Sequence, residues 1–454
     1  MDKIHGKATE LVLAAVAGAE ASENPRPWDY GWCTESYRHS RTAAISSPGG
    51  PVRLSVEAVA RLEELHALLA KQSQVREQWS LEELWGYLST LIAFVYCVDD
   101  RDEKAKELLA RIIYTQPSLV VFPVSNIAWD GDPVRIGKKN VIGRLDEAFV
   151  DVVQQLGGRG RSHRSLVAEY IGKLTHREPR VGFAALVPAQ RGKARSQANR
   201  NLQVLVDLTM MLVTNKSYRK LWSLRGDTNR PGVRGITLDR KAVEAGLRES
   251  GDHVELYSSP LIIDAIGQSG VVEWLGEDPI PLRELLQDEE LRSAVEVCLT
   301  QGNTFLRRLH VAARWFADSY WASAQDDAAL AAGVALDALL GSKSALPGRA
   351  MRERYALLER DPQARAERAK EHEEIYATRS IVAHGGEVRK VSEGNFLRDM
   401  QDSITWASWR LLDAHSTFSI SSEKELESLF DDLRWGTRGW PSVRESEDDS
   451  EGVL

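Results

Sequence analysis

The stretch QARAERAKEHEEIYATRSIVAHGG, Gln363–Gly386, decides the reading of the C-terminal half of the chain. Up to His384 it contains no interior Gly or Pro and is rich in Ala, Glu, Lys and Arg, the residues that cost a helix least. Gly385-Gly386 then supplies the left-handed terminator on which helices commonly end. Upstream, Asp361-Pro362 reads as an N-cap followed by Pro at the first helical position. One helix therefore fills the segment, and it closes on Arg379 and His384.

The flanking segments are helical too. TFLRRLHVAARWFADSYWASA, from Thr304, reads as one long helix. AALAAGVALDALLG follows, with Asp326-Asp327 as its cap and Gly341 as its stop. RAMRERYALLER lies between Pro347 and Asp361, and EGNFLRDMQDSITWASWRLLDAHSTF comes after the glycine pair. Residues 287–440 are thus expected to form an all-helical bundle with short connections. The fold class is mainly α with an α+β middle region. Residues 1–116 read as an N-terminal helical region that includes VEAVARLEELHALLA and, after Ser80 as N-cap, LEELWGYLSTLIAFVY. Residues 117–286 are a mixed α/β region and a candidate sensor. There SLVVFPVSNIAWDGDPVRIGKKNVIGRL alternates β-rich runs with Asp-Gly and Gly-Lys turns, RNLQVLVDLTMMLV reads as a helix, and VRGITLDR and SGDHVELYSS read as strands. Residues 441–454 form an acidic tail read as disordered.

Composition narrows the function classes. At 454 residues the chain exceeds one ordinary core. With 43% hydrophobic and 27% charged residues it has the balance of a soluble globular protein. The net charge of -8 argues against coating nucleic acid through a global positive field. Arg concentrates in His176–Arg200 and Gly348–Lys370, which read as solvated helix faces, with ligand-contacting patches as the alternative. Three cysteines, Cys33, Cys97 and Cys298, lie too far apart for a zinc site or a disulfide framework, which fits a reducing cytoplasm. The N-terminal apolar run imitates a secretory signal, but Asp2 and Glu10 are wrong for one. The longest apolar run, Leu84–Val98, is too short for a bilayer and reads as a core helix.

As a bare spacing, Arg-x4-His carries little information. It occurs four times, at Arg61/His66, Arg248/His253, Arg379/His384 and Arg410/His415, and Arg365/His372 fits a looser spacing. Helical geometry separates them. At about 100° per residue, Arg379, Tyr376, Ser380 and His384 share one arc of the wheel, and Ile375, Thr378, Ile381 and Val382 form the opposite, core-facing arc. Arg379 and His384 stand roughly 7.5 Å apart along the axis, enough to flank a phosphodiester. His384 also sits at the helix C-terminus, where the backbone dipole favours an imidazolium. Arg61/His66 and Arg365/His372 are embedded in charge and read as solvated faces. Arg248/His253 straddles Ser250-Gly251, so one helix does not hold both. Arg410/His415 is the rival on its own helix, and a purely structural helix-end His is the alternative for His384. Asp337 falls among Leu330, Leu336 and Leu340 on its wheel, so either its carboxylate is buried and needs a partner or it faces water at the helix rim.

Y-x2-R-S-x-V-x-H-G-G, preceded by ALDALLG, resembles the C-terminal helical domain of Apea-like HEPN proteins, whose motif reads approximately YxxRxxxxHG after a helix with ALEALLG. The resemblance spans Arg308 to His415, about a quarter of the chain. It departs at Asp337, where the pattern has Glu. HEPN domains are helical bundles that typically pair, so that Arg and His of two copies face each other. Many are metal-independent ribonucleases, others are noncatalytic nucleotide- or partner-binding modules, and Apea-like members are associated with bacterial defence against phage. The resemblance thus implies an RNA substrate, a homodimer, no metal or other cofactor, and His384 as general acid or base. Arg379 would stabilise charge on the phosphoryl oxygens, with Asp337, Tyr376 and Ser380 in support. Residues 1–286 would hold the nuclease in check or sense a phage or host trigger.

Overall fold

The structure, a computed structural model, describes residues 2–21, 44–45, 52–113, 117–124, 127–157, 181–189, 191–214, 261–263, 280–299, 303–322, 324–341, 347–384 and 395–441. The segments VRGITLDR and SGDHVELYSS, the Arg248/His253 pair, Gly385-Gly386 and the acidic tail lie outside them. The described chain is mainly α, with one larger sheet in its middle region.

The N-terminal helices are α1 (Asp2–Ala17), α2 (Val56–Ala70), α3 (Ser73–Gln78), α4 (Leu81–Tyr96) and α5 (Arg101–Ile113), beside a small antiparallel sheet of β1 (Ala19–Ala21), β2 (Ala44–Ile45) and β3 (Val52–Leu54). Sequence signals set the helix starts. The Ser55 side chain accepts from Ala58 N, and Ser80 forms a full capping box with Glu83, each satisfying amides that a helix start leaves orphaned. The apolar run after Ser80 is the core helix expected, burying Leu84, Leu88, Leu91, Ile92 and Val95. The signal-like run is α1, which buries Ala8, Val12, Ala15 and Val16 in the same core.

The second sheet runs in the order β5-β6-β7-β4-β8, from β4 (Ser118–Val124), β5 (Val134–Ile136), β6 (Asn140–Arg144), β7 (Val181–Val187) and β8 (Leu261–Ile263). All its pairings are antiparallel except β4 with β8. The Asp-Gly and Gly-Lys turns fall where the sequence places them. Gly131 and Gly137 there have φ of 89° and 59°, where other residues are strained. Strand alternation divides the side chains between two faces. Leu119, Val121 and Val141 pack with Phe149 and Val153 of α6 (Glu147–Gly157), while Val120, Phe122 and Ile142 face α7 (Arg191–Leu212).

The remaining helices are α8 (Leu282–Leu285), α9 (Glu289–Leu299), α10 (Thr304–Trp321), α11 (Gln325–Leu340), α12 (Pro347–Leu357), α13 (Arg365–Ala383), α14 (Asn395–Phe418) and α15 (Glu423–Trp435). Two starts differ from expectation. α11 is capped by Ala324, which puts Asp326 and Asp327 in the first turn, where the helix dipole favours acidic side chains. Asp361 accepts from Gln363 N and makes a local turn, so α13 begins only at Arg365. One buried cluster runs from Val120 of the sheet through α7 to Leu433 of α15, so the sheet and the bundle share a core. The N-terminal helices keep a separate one. Among the described residues, no helix is long and apolar enough to cross a membrane.

Candidate functional site

Helix α13 lies against α11 and α12, and its neighbours sort its side chains. Ile375 and Thr378 are buried as expected. Ile381 is not: it is 48% exposed and lies on the outer face with Ala377 and His384. The bundle side instead holds Arg379, whose stem lies flat across α11 and whose Nη2 donates to the Asp337 carboxylate. The two motif residues therefore diverge from one helix. Of the four residues expected on one arc, Tyr376, Ser380 and His384 line one groove, while the Arg379 stem lies over Gly333 outside it.

Two glycines that the sequence reading did not single out create this arrangement. A Cβ on Gly333, one turn before Asp337, would stand 2.3 Å from Arg379 Cγ. On α12, a Cβ on Gly348 would stand 2.6 Å from Tyr376 Cε1. Each neighbouring helix thus leaves out a side chain where a motif residue crosses it. The signal available in the sequence was a lone Gly in the Ala-rich run of α11, spaced four residues before its one interior carboxylate.

The Arg379–Asp337 pair is partly buried, with side-chain exposures of 22% and 33%. Burial raises the Asp337 carboxyl above the ordinary aspartate value, and the Arg379 charge beside it pulls the other way with less effect. Of the alternatives left open for Asp337, the paired one is the one observed. Asp337 engages one of the guanidinium's N–H donors, and Nε is buried without a partner.

On the outer face, Tyr376, Ala377, Ser380, Ile381 and His384 line an open groove of about 530 Å³. His384 is the C-cap residue, and its backbone N–H bonds back to Ser380 and Ile381 carbonyls while its side chain is exposed. Arg379 is not part of the groove lining.

The competing pairs separate cleanly. Arg61 pairs with Glu64 on an exposed face, as read, whereas His66 is half-buried, its Nε2 meeting Leu81 O and its ring packing edge-on against Trp85. Arg410 pairs with Asp413, while the His415 Nδ1 meets Ile420 O and its ring stacks on Phe305, so that pair is structural. The reading of Arg365/His372 as a solvated pair is corrected. His372 is 1% exposed, packed between Tyr355 and Tyr376 with ring centroids 5.3 and 6.4 Å away, and neither ring nitrogen has a partner. Burial holds this imidazole down at about 4, well below the usual histidine range. The Arg-rich run beginning at Gly348 is likewise more than a solvated face. Arg354 is buried against Glu427 and the last carbonyls of α11, and Arg368 bridges Glu359 and Glu371 while lying 4.4 Å over the Trp406 ring.

No protein-family model matches this chain, and neither a curated protein nor a solved structure does.

Proposed function

We propose that residues 287–440 form a HEPN-type endoribonuclease that cuts RNA without a metal ion, acting in the cytoplasm as a homodimeric antiviral-defence or toxin effector. The observation that carries the reading is the seating of Arg379 on Gly333 against Asp337, the position at which the resembling helix carries Glu. His384, exposed at the end of the same helix, supports it, as do Tyr376 and Ser380 beside it in the groove.

In the proposed reaction the ribose 2′-oxygen attacks the adjacent phosphorus and the P–O5′ bond breaks. A neutral His384 takes the 2′ proton, and the protonated His384 of a second copy gives one to the departing 5′-oxygen. Arg379, oriented by Asp337, stabilises the negative charge that grows on the phosphoryl oxygens through its remaining N–H donors. The products are a 2′,3′-cyclic phosphate and a 5′-hydroxyl.

A second reading has its own support. Arg379 is committed to Asp337 and stands outside the groove, which suits a noncatalytic HEPN module that grips a nucleotide or a partner. Incubation of the purified chain with total RNA in EDTA separates the two. The nuclease reading expects cutting that Arg379→Ala and His384→Ala abolish and that His415→Ala leaves in place. Intact RNA in all samples leaves the binding module.

A further inference from the structure

Each end of α7 takes part in the same kind of joint, as donor at its start and as acceptor at its close. On its first turns, Lys193 and Gln197, four residues apart, donate to the consecutive carbonyls of Arg76 and Glu77 in the last turn of α3. At its far end the consecutive carbonyls of Met211 and Leu212 accept from Thr405 Oγ1 and Trp409 Nε1, four residues apart on α14, both at 2.8 Å. Each joint is an i, i+4 pair of donors reading the carbonyls that a helix end leaves unsatisfied. Such carbonyls also carry the negative end of the helix dipole, which favours the Lys193 ammonium.

The joints differ in surroundings. The one at α3 is polar and exposed, and it joins two units whose hydrophobic cores are separate. The one at α14 lies in the shared core, with Thr405 buried. Between them α7 runs for 22 residues, about 33 Å at roughly 1.5 Å per residue. Along that length it packs on α9 and α10. Beyond the second joint, α14 reaches α13 directly. Ser403 donates to Glu371, and Trp406 packs against Tyr355 and under Arg368. On α13, Glu371 lies about two turns before Arg379.

We propose that α7 is a strut through which the N-terminal helical unit, docked at Lys193 and Gln197, sets the seating of α14 and with it that of α13. The strut is a property of the fold. Its consequence for RNA cutting rests on the nuclease reading above. A weak, polar, solvent-exposed joint is the releasable end, and the buried joint is the one that transmits.

The test is the full-length Lys193→Ala, Gln197→Ala double variant, which removes two exposed donors and no core contact. Hydrogen exchange is followed along the chain, with small-angle scattering for overall dimensions. The strut predicts a larger radius of gyration and amide exchange about fivefold faster over residues 401–413, the factor that one net hydrogen bond carries, with α6 on the other sheet face unchanged. Unchanged exchange over 401–413 overturns the proposal, whether or not the dimensions change. Faster exchange spread evenly over α6 and α14 overturns it as well, since that is global destabilisation. If the wild-type chain cuts no RNA while the exchange pattern appears as predicted, the nuclease reading falls and the strut stands.

Discussion

At the scale of single residues, the site depends on space left empty as much as on charge. Gly→Ala inside a helix ordinarily stabilises by about 1 kcal/mol. At Gly333 the added methyl falls on the Arg379 stem, which must leave its seat. The displaced guanidinium leaves the partly buried Asp337 carboxylate behind, so Gly333→Ala is expected to lower the melting temperature despite the helix gain, while RNA cutting falls about a hundredfold, the cost typical of a misplaced catalytic group. Asp337→Asn, which keeps the shape and removes the charge, is expected to lower cutting in the same direction. If Asp337→Asn leaves both stability and cutting untouched, the orienting role is wrong. His372 gives a separate residue-scale prediction. Its ring is neutral in the fold, with an ionisation at about 4 against the ordinary 6.5, so the unfolded chain binds the extra proton between those values. Stability from this group is complete above the ordinary histidine value and falls by about 3 kcal/mol as the pH drops through that window. Glu371, which favours the charged ring, and Arg352, which opposes it, are the charges that modulate this. Denaturant titrations at pH 7 and pH 4 should show a smaller difference for His372→Leu than for wild type, and an equal difference contradicts the assignment. Why the sequence misplaced His372 is physical: Glu371, Glu373 and Glu374 around it set the local charge, whereas its burial comes from Tyr355 on another helix.

At the scale of elements, the legible parts were those with local causes. Ser80 with Glu83, and Gly341 as the close of α11, are written in adjacent residues, so the helix limits there follow from the sequence. The sheet turns at Gly131 and Gly137 are equally local. Less legible was the C-terminal end of α11. There Arg308 donates to the Leu339 and Gly341 carbonyls, and Arg354 donates to those of Leu340 and Gly341. These two guanidiniums come from different helices, α10 and α12, and together they fix the helix that carries Gly333 and Asp337. No spacing rule links them. Arg354→Met, which leaves the Leu340 carbonyl and Glu427 without this donor and the Gly341 carbonyl with Arg308 alone, is expected to cost about 2–4 kcal/mol in a denaturant titration. Glu427→Gln, at the half-exposed end of the same pair, should cost under about 1 kcal/mol. Equal costs for the two would mean that the carbonyl clamp contributes nothing beyond the ion pair.

At the scale of the whole molecule, the N-terminal helices and the sheet-plus-bundle unit have separate cores, and the candidate site belongs to the second. The change from helical periodicity to strand alternation is legible in the sequence, and the two clusters part between Ile112 and Leu119. The continuity of one core from Val120 to Leu433 is not legible there, because it arises when α7 covers one sheet face and packs its other side on α10 and α14. In the proposed function Arg379 and His384, carried by one helix, act together on a ribose phosphate. The most direct test is the end chemistry of RNA cut by the wild-type chain in EDTA, with Arg379→Ala and His384→Ala in parallel. The wild type should leave 2′,3′-cyclic phosphate and 5′-hydroxyl ends, and neither variant should leave new ends. New ends bearing 3′-hydroxyls, or equal cutting by both variants, would contradict it.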